Sequence, residues 1–286
     1  MTARAWFLFG LVSFLWGTPF LLIRIAVADL SPAWLVFLRL ALAAALLLPL
    51  ALGGGRLRAL RAGAPWVVAL AVVEMVAPFL LITAGQRAIP SSLAALLVAS
   101  APLFLALLAP WFDPSERVRG LRLAGLAAGF AGVAMLMGLE TQEGPGQLAA
   151  AGLVVVAAAC YAAGSLLVKL RFADVSEMAL VAAATGVGAV LLAPVAAWEG
   201  VPPMPGPGTL LAVAGLAVGS SAGGLTGYFA LIRAAGASRA SVVAYVAPAV
   251  AVALGVAFFR EPFTASTAGG FALILVGSWA ATRRDA

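Results

Sequence analysis

The apolar residues of this chain fall into runs of about 20 separated by short polar breaks, and this pattern constrains the fold more than any other feature. A helix of about 20 apolar residues crosses ~30 Å of hydrocarbon. Inside a bilayer each backbone N–H and C=O must be satisfied within its own segment, so such runs become helices. Ten spans are predicted, at 5–28, 33–52, 65–84, 91–112, 118–139, 147–169, 176–198, 208–232, 239–259 and 264–282. The longest connections have about ten residues, as in EGVPPMPGP at 199–207, so no soluble domain fits between spans. Only 10% of the residues are charged and 64% are hydrophobic. A water-facing surface needs about a quarter charged, so the expected class is an all-α polytopic membrane protein.

Absences close off other chemistry. The sequence has no histidine, its only cysteine is Cys160 and its only lysine is Lys169. A His-based metal site, triad or proton relay is excluded, and so is an internal disulfide. No GxxxxGK[ST] precedes Lys169, so no ATP site is expected. Neither a cofactor nor a metal is predicted. The net charge of +6 is scattered over short loops, which fits membrane orientation rather than nucleic acid.

Lys and Arg set that orientation. One face holds Arg4, Arg56, Arg58, Arg61, Arg117, Arg119, Arg122, Lys169, Arg171, Arg233, Arg239, Arg283 and Arg284, against Arg87 and Arg260 on the other. Arg24 and Arg39 lie within spans. Thirteen against two places both termini in the cytoplasm. Arg4, an apolar stretch and Ala26-Val27-Ala28 also fit a cleavable signal with its A-x-A site. The first span has a partner later in the chain, however, which argues that it is kept.

That partner belongs to an internal repeat with an offset near 145. Glu116, Gly125 and Gly132 have the spacings of Glu261, Gly270 and Gly277, while Trp16 and Arg24 fall on Tyr161 and Lys169. With one residue of slippage, Arg87 and Pro102 fall on Arg233 and Pro248. The halves are 1–142 and 143–286, each with five spans. Five is odd, so the second half crosses the membrane in the opposite sense. Inverted repeats build secondary transporters, with the substrate site near the midplane between them.

Six tryptophans, Trp6, Trp34, Trp66, Trp111, Trp198 and Trp279, sit near span ends as an aromatic belt. Trp16, Tyr161, Tyr228 and Tyr245 lie inside spans and need partners for their polar atoms. Together they favour a cavity for an aromatic or amphipathic solute, against simple helix packing. Ser13, Gly17, Phe20 and Arg24 form a stripe on the first span, with Arg24 near enough the end to snorkel. Arg39, about six residues into the second span, is a possible gate or ion pair, with Asp29 as a partner or a wet vestibule around it. Gly215, Gly219, Gly223 and Gly227 recur every four residues on the eighth span and predict close backbone approach. Pro102 and Pro248 free the carbonyls of Val98 and Ala244 and predict bends.

The stretch VVEMVAPFLL at 72–81 places Glu74 near the midplane, four residues before Pro78. A carboxylate there costs about 2.5–3.5 kcal/mol on insertion scales. It is either a neutral acid hydrogen-bonded to a neighbour or a cavity acid that binds an amino group or carries a proton. At offset 146 its mate is Ser220, and Pro78 falls on Gly224. Acid and proline on one wall therefore oppose hydroxyl and glycine on the other.

WGTPFLLIR at 16–24, followed by Pro32 and Arg39, resembles the opening of a bacterial drug/metabolite transporter repeat of the EamA type. The run from Ser91 through Pro102 to Gly132 resembles the end of that repeat, and VVAYVAPAVAVALGVAFFREP at 242–262 its second copy. Within the superfamily the chain most resembles the inner-membrane aromatic amino-acid exporters. The resemblance implies ten helices in two inverted five-helix repeats, a small-molecule substrate, and a central cavity between the first, third, fourth, sixth, eighth and ninth spans. The other four spans would mainly scaffold. Candidate residues on the path are then Trp16, Gly17, Phe20, Glu74, Pro78, Ser100, Tyr161, Ser165, Gly224, Tyr228 and Tyr245. Threonine- or homoserine-like amino acids or cationic drugs are alternative cargoes on the same fold. A passive channel and an intramembrane enzyme are more remote alternatives. The first half reads DPSER where the second has Glu261-Pro262, so the two acids are not expected to act symmetrically.

Overall fold

The structure, a computed structural model, describes residues 1–52, 60, 63–113, 119–139 and 144–282. The expected all-α architecture of ten spans in two inverted five-helix repeats is what forms. In order the spans are Ala3–Ala26, Pro32–Leu52, Ala64–Gly85, Ser91–Trp111, Leu121–Leu139, Pro145–Arg171, Glu177–Trp198, Pro207–Ala235, Val243–Phe259 and Ala265–Thr282. Among the described residues nine are at least 18 residues long, and the ninth span is a shorter apolar helix of 17. Glu116 of the repeat signature and the loop arginines Arg56, Arg58, Arg61, Arg117, Arg283 and Arg284 lie outside the described residues.

Local signals set the helix ends. Thr2 caps the first span through Oγ1, which accepts from Ala5 N at 3.3 Å, and Ser31 Oγ accepts from Trp34 N at 3.2 Å at the start of the second. Proline opens the second and sixth helices, where its missing N–H costs nothing. Gly236, at φ 86°, ends the eighth span in a conformation that suits a residue without Cβ.

The packing follows the inverted repeat. The second span packs on the seventh and the fifth on the tenth, each pair joining equivalent helices of the two halves. The first span packs on the eighth and ninth, just as the sixth packs on the third and fourth. The fifth–tenth contact is made by the repeat's own glycines. A Cβ on Gly132 would sit 2.7 Å from the carbonyl of Gly270, and one on Gly125 would sit 2.9 Å from that of Gly277. Two antiparallel helices thus touch backbone to backbone at two places seven residues apart. The glycine stripe of the eighth span differs from expectation: it receives the side chains of Val12, Leu15 and Leu22 of the first span rather than its backbone.

The two matched prolines act differently. Pro102 follows a break at Ala99–Ser100 that divides the fourth span into Ser91–Val98 and Ala101–Leu108. Pro248 lies inside a continuous helix.

Candidate functional site

The third and eighth spans, the two walls expected to oppose each other, both leave α-helical geometry near the middle of the span. Ala71–Val76 and Gly215–Gly223 are π-helical. The cause in the third span is Pro78. It has no N–H for the carbonyl of Glu74, and the preceding turn loosens so that Ala77 N–H bonds Val72 O, five residues back. In the eighth span glycine loosens the turn, and Gly224 N–H reaches Gly219 O in the same way. Short π segments recur at functional sites because they swing side chains out of helical register.

Glu74 sits in the first of these turns. Its carboxylate lies directly against Gly164 of the sixth span, in the space that a side chain there would occupy. Oε2 is buried and has no hydrogen-bond partner among the described residues. Tyr161 lies one turn before Gly164 on the same helix, so the two share a face. Across the pseudo-two-fold, Trp16 of the first span lies against Gly224 of the eighth. A Cβ on Gly224 would stand 2.6 Å from the indole Nε1. Trp16 and Tyr228 stack with ring centroids 4.8 Å apart at 37°. Each half therefore lays an aromatic residue of its first helix, Trp16 or Tyr161, beside the π turn of the facing wall.

Arg39 departs from expectation. It does not pair with Asp29, whose carboxylate accepts from Gly206 N at 3.0 Å and Thr209 Oγ1 at 2.6 Å. Those two bonds hold the Asp29 carboxyl below its ordinary value. Arg39 turns inward instead, with 6% of its surface exposed. Nε donates to Ser221 Oγ at 3.3 Å and Nη2 to Ser220 Oγ at 3.2 Å. Its guanidinium lies 3.7 Å from the centroid of Phe79, a cation–π contact. The second span is thus more than scaffold, because it delivers a cation to the π turn of the eighth.

Other expected residues take structural places. Gly17 lets the first span approach Ala247 and Val250 of the ninth. Phe20 is buried, and its carbonyl accepts from Gln86 Nε2 at 3.2 Å. Pro78 is buried below the π turn. Ser100 is fully buried and turns back on its own backbone, donating to Leu97 O at 2.6 Å across the helix break. Ser165 is exposed. Tyr245 stands apart from the group. It lines a shallow apolar groove with Leu275, Val276 and Trp279, and the last two are exposed on the outside of the bundle.

Several contacts were not anticipated, and they cluster on the face opposite the termini. Gln86 is fully buried, and its carbonyl accepts from Arg24 Nη1 at 3.2 Å, so Arg24 does more than snorkel. Trp34 Nε1 donates to Gly200 O at 2.8 Å, and Ser31 donates to Glu199. Glu261 reaches from the end of the ninth span to the start of the fourth. Its carboxylate accepts from Ser91 N, Ser91 Oγ and Ser92 N, each at 2.8 Å, which is the cap an α-helix N-terminus seeks. Burial pushes the Glu261 carboxyl up, but the serine hydrogen bonds outweigh it and leave the group below its ordinary value. Arg260, with φ 53°, turns the chain so that Glu261 can point back. This distal face is closed by side chains from both halves.

The sequence profile of the EamA-like transporter family matches residues 4–138 and, a second time, 148–283. An uncharacterized transporter of Archaeoglobus fulgidus is 25% identical over 282 residues, covering 98% of this chain and 99% of its own. The uncharacterized inner membrane transporter YedA of Escherichia coli is 31% identical over 243 residues, covering 84% of this chain and 78% of its own. A solved crystal structure aligns with 99% of this chain and 97% of its own at a TM-score of 0.68 and 22% identity, a likeness of fold alone.

Proposed function

Because the chain belongs to the EamA-like transporter family, we propose that it is a secondary transporter that exports aromatic amino acids or similar amphipathic metabolites by alternating access. The observation that carries this is an aromatic pair, Trp16 with Tyr228, together with an acid, Glu74, whose buried Oε2 has no hydrogen-bond partner among the described residues. A substrate with a flat apolar body and an amino group matches both. Trp16, Glu74, Tyr161 and Tyr228 contact the substrate in this mechanism, and Phe20 packs behind them. Gly17, Pro78 and Gly224 shape the walls, and Tyr245, Ser100 and Ser165 have no direct part.

The exporter sits in a bacterial inner membrane with both termini in the cytoplasm, so its closed distal face is the periplasmic one. The halves 1–142 and 143–286 rock against each other about the second–seventh and fifth–tenth contacts. Glu74 alone also favours a second cargo class, threonine-like amino acids or cationic drugs.

Counterflow of labelled Phe, Trp and Thr into proteoliposomes tests the proposal. Saturable uptake of Phe and Trp well above Thr is expected. Equal and negligible uptake of all three overturns it.

A further inference from the structure

We infer that Arg39 is the site at which the protein holds the carboxylate of its solute. The inference rests on the exporter function proposed above and narrows its substrate class to solutes that carry a carboxylate, which sets purely cationic drugs aside.

Arg39 is a buried cation with no anion beside it. It lies between the two walls, on Phe79 of the third span and on Ser220 and Ser221 of the eighth. The groups that accept its N–H bonds are hydroxyls, which are neutral. The titratable side chain that acts on it is the Tyr161 phenol, an acid too weak to ionise near pH 7. No carboxylate pairs with Arg39 among the described residues. Burying a guanidinium in a membrane protein without a counter-anion is costly. The position therefore suits a ligand that brings the anion with it.

The fork is held in a fixed plane with one end free. A guanidinium has five N–H donors. Nε gives one to Ser221 Oγ at 3.3 Å and Nη2 gives one to Ser220 Oγ at 3.2 Å. Ser220 is itself anchored, since its hydroxyl donates to Leu216 O at 2.7 Å. The Phe79 ring covers one face of the group. Three donors remain, two on Nη1 and one on Nη2, and none has an acceptor among the described residues. One donor from each nitrogen points the same way off the end of the fork, which is the geometry that takes both oxygens of a carboxylate.

That free end meets open space. Among the described residues, the polar side-chain atoms sealed in without a partner are Ser13 Oγ, Glu74 Oε2, Thr83 Oγ1, Gln86 Oε1 and Ser278 Oγ. Nη1 of Arg39 has no partner either, yet it is not one of them, so it keeps accessible surface. The small exposed fraction of Arg39 thus includes the nitrogen that an anion would meet. A solute without a carboxylate leaves these donors unpaired in a buried place, and discrimination built on buried polar groups is strong.

The test measures binding to the purified protein in detergent, as the ligand-dependent rise in melting temperature over a concentration series. The ligands are Phe, Thr, sodium chloride and phenylalaninamide, in which a neutral amide replaces the carboxylate. Phenylalaninamide should need at least about tenfold more than Phe to half-saturate. In Arg39→Lys, which keeps the charge and loses the fork, Phe should weaken by about that factor and phenylalaninamide should not. If the variant does not fold, the wild-type series decides alone. Equal binding of Phe and phenylalaninamide overturns the carboxylate assignment, while Phe binding, and with it the proposed function, stands. Saturable stabilisation by chloride as large as that by Phe overturns it in favour of a small inorganic anion. If Thr binds as tightly as Phe and phenylalaninamide stays weak, the carboxylate site holds and the aromatic preference falls. Absence of binding by Phe and Thr alike overturns both.

Discussion

The Glu74 carboxylate occupies the space where Gly164 would carry a side chain. One glycine of the sixth span therefore decides whether an acid can sit in the middle of the third. Gly164→Ala places a methyl group against the carboxylate and Cβ of Glu74. Overpacking of this kind costs about 1–3 kcal/mol, and it displaces Glu74 from the π turn. Counterflow activity should fall at least about tenfold, well beyond the effect of the stability loss on the amount of folded protein. Wild-type activity in Gly164→Ala would remove Glu74 from the transport path.

The Glu261 cap makes stability depend on pH in a defined direction. Its carboxyl in the folded protein lies below the ordinary value, so the unfolded state binds the proton more tightly. The stabilisation is complete above about pH 4.3, the ordinary Glu value, and is lost as pH falls through the folded value. Thermal melts of the purified protein should therefore drop on acidification below that point. Glu261→Gln should melt lower at neutral pH, by a margin that shrinks as the pH falls. Loss of one charged cap with its serine partners costs about 1–3 kcal/mol. A constant difference between variant and wild type across pH would show that the carboxylate charge contributes nothing.

The glycine contact between the fifth and tenth spans offers a separable prediction. At Gly132 the obstacle is the backbone carbonyl of Gly270, which no rotamer change can move aside. Gly132→Ala and Gly125→Ala should each lower the melting temperature by several degrees, roughly 1–3 kcal/mol of overpacking. Gly10→Ala, where nothing lies within 4 Å of the added methyl, serves as the control and should melt no lower. Because the contact is remote from Glu74 and Trp16, KM for the transported solute should not change in the folded fraction. A KM shift would place this interface against the substrate rather than at a pivot.

The spans, the inverted repeat and the opposing third and eighth walls were legible because period, length and offset are properties of the chain itself. Glu74 and Ser220, matched by offset, both lie in π-helical segments, which nothing in the sequence marked. Contacts across the bundle were hidden. Asp29 was the nearest acid to Arg39 in the sequence, yet it turns to Gly206 and Thr209, and Arg39 reaches residues about 180 positions away. Gln86 carried no charge or repeat mate to mark it, although it ties the third span to the first. Tyr245 looked like Tyr228 in sequence, since both are tyrosines inside spans, and only helix rotation sends one inward and the other to a groove on the outside. Gly164 fell on Pro19 in the repeat, so its role had no signal until the neighbouring helix was in place.

The cap on the fourth span also imposes an order of assembly. Ser91 and Glu261 are 170 residues apart, so the fourth helix enters the bilayer long before its carboxylate has been synthesised. Until the ninth span arrives, the amide groups of Ser91 and Ser92 must be served by water or lipid head groups. The first half thus waits in the membrane as an incomplete unit, and insertion of the second half is the step that closes it.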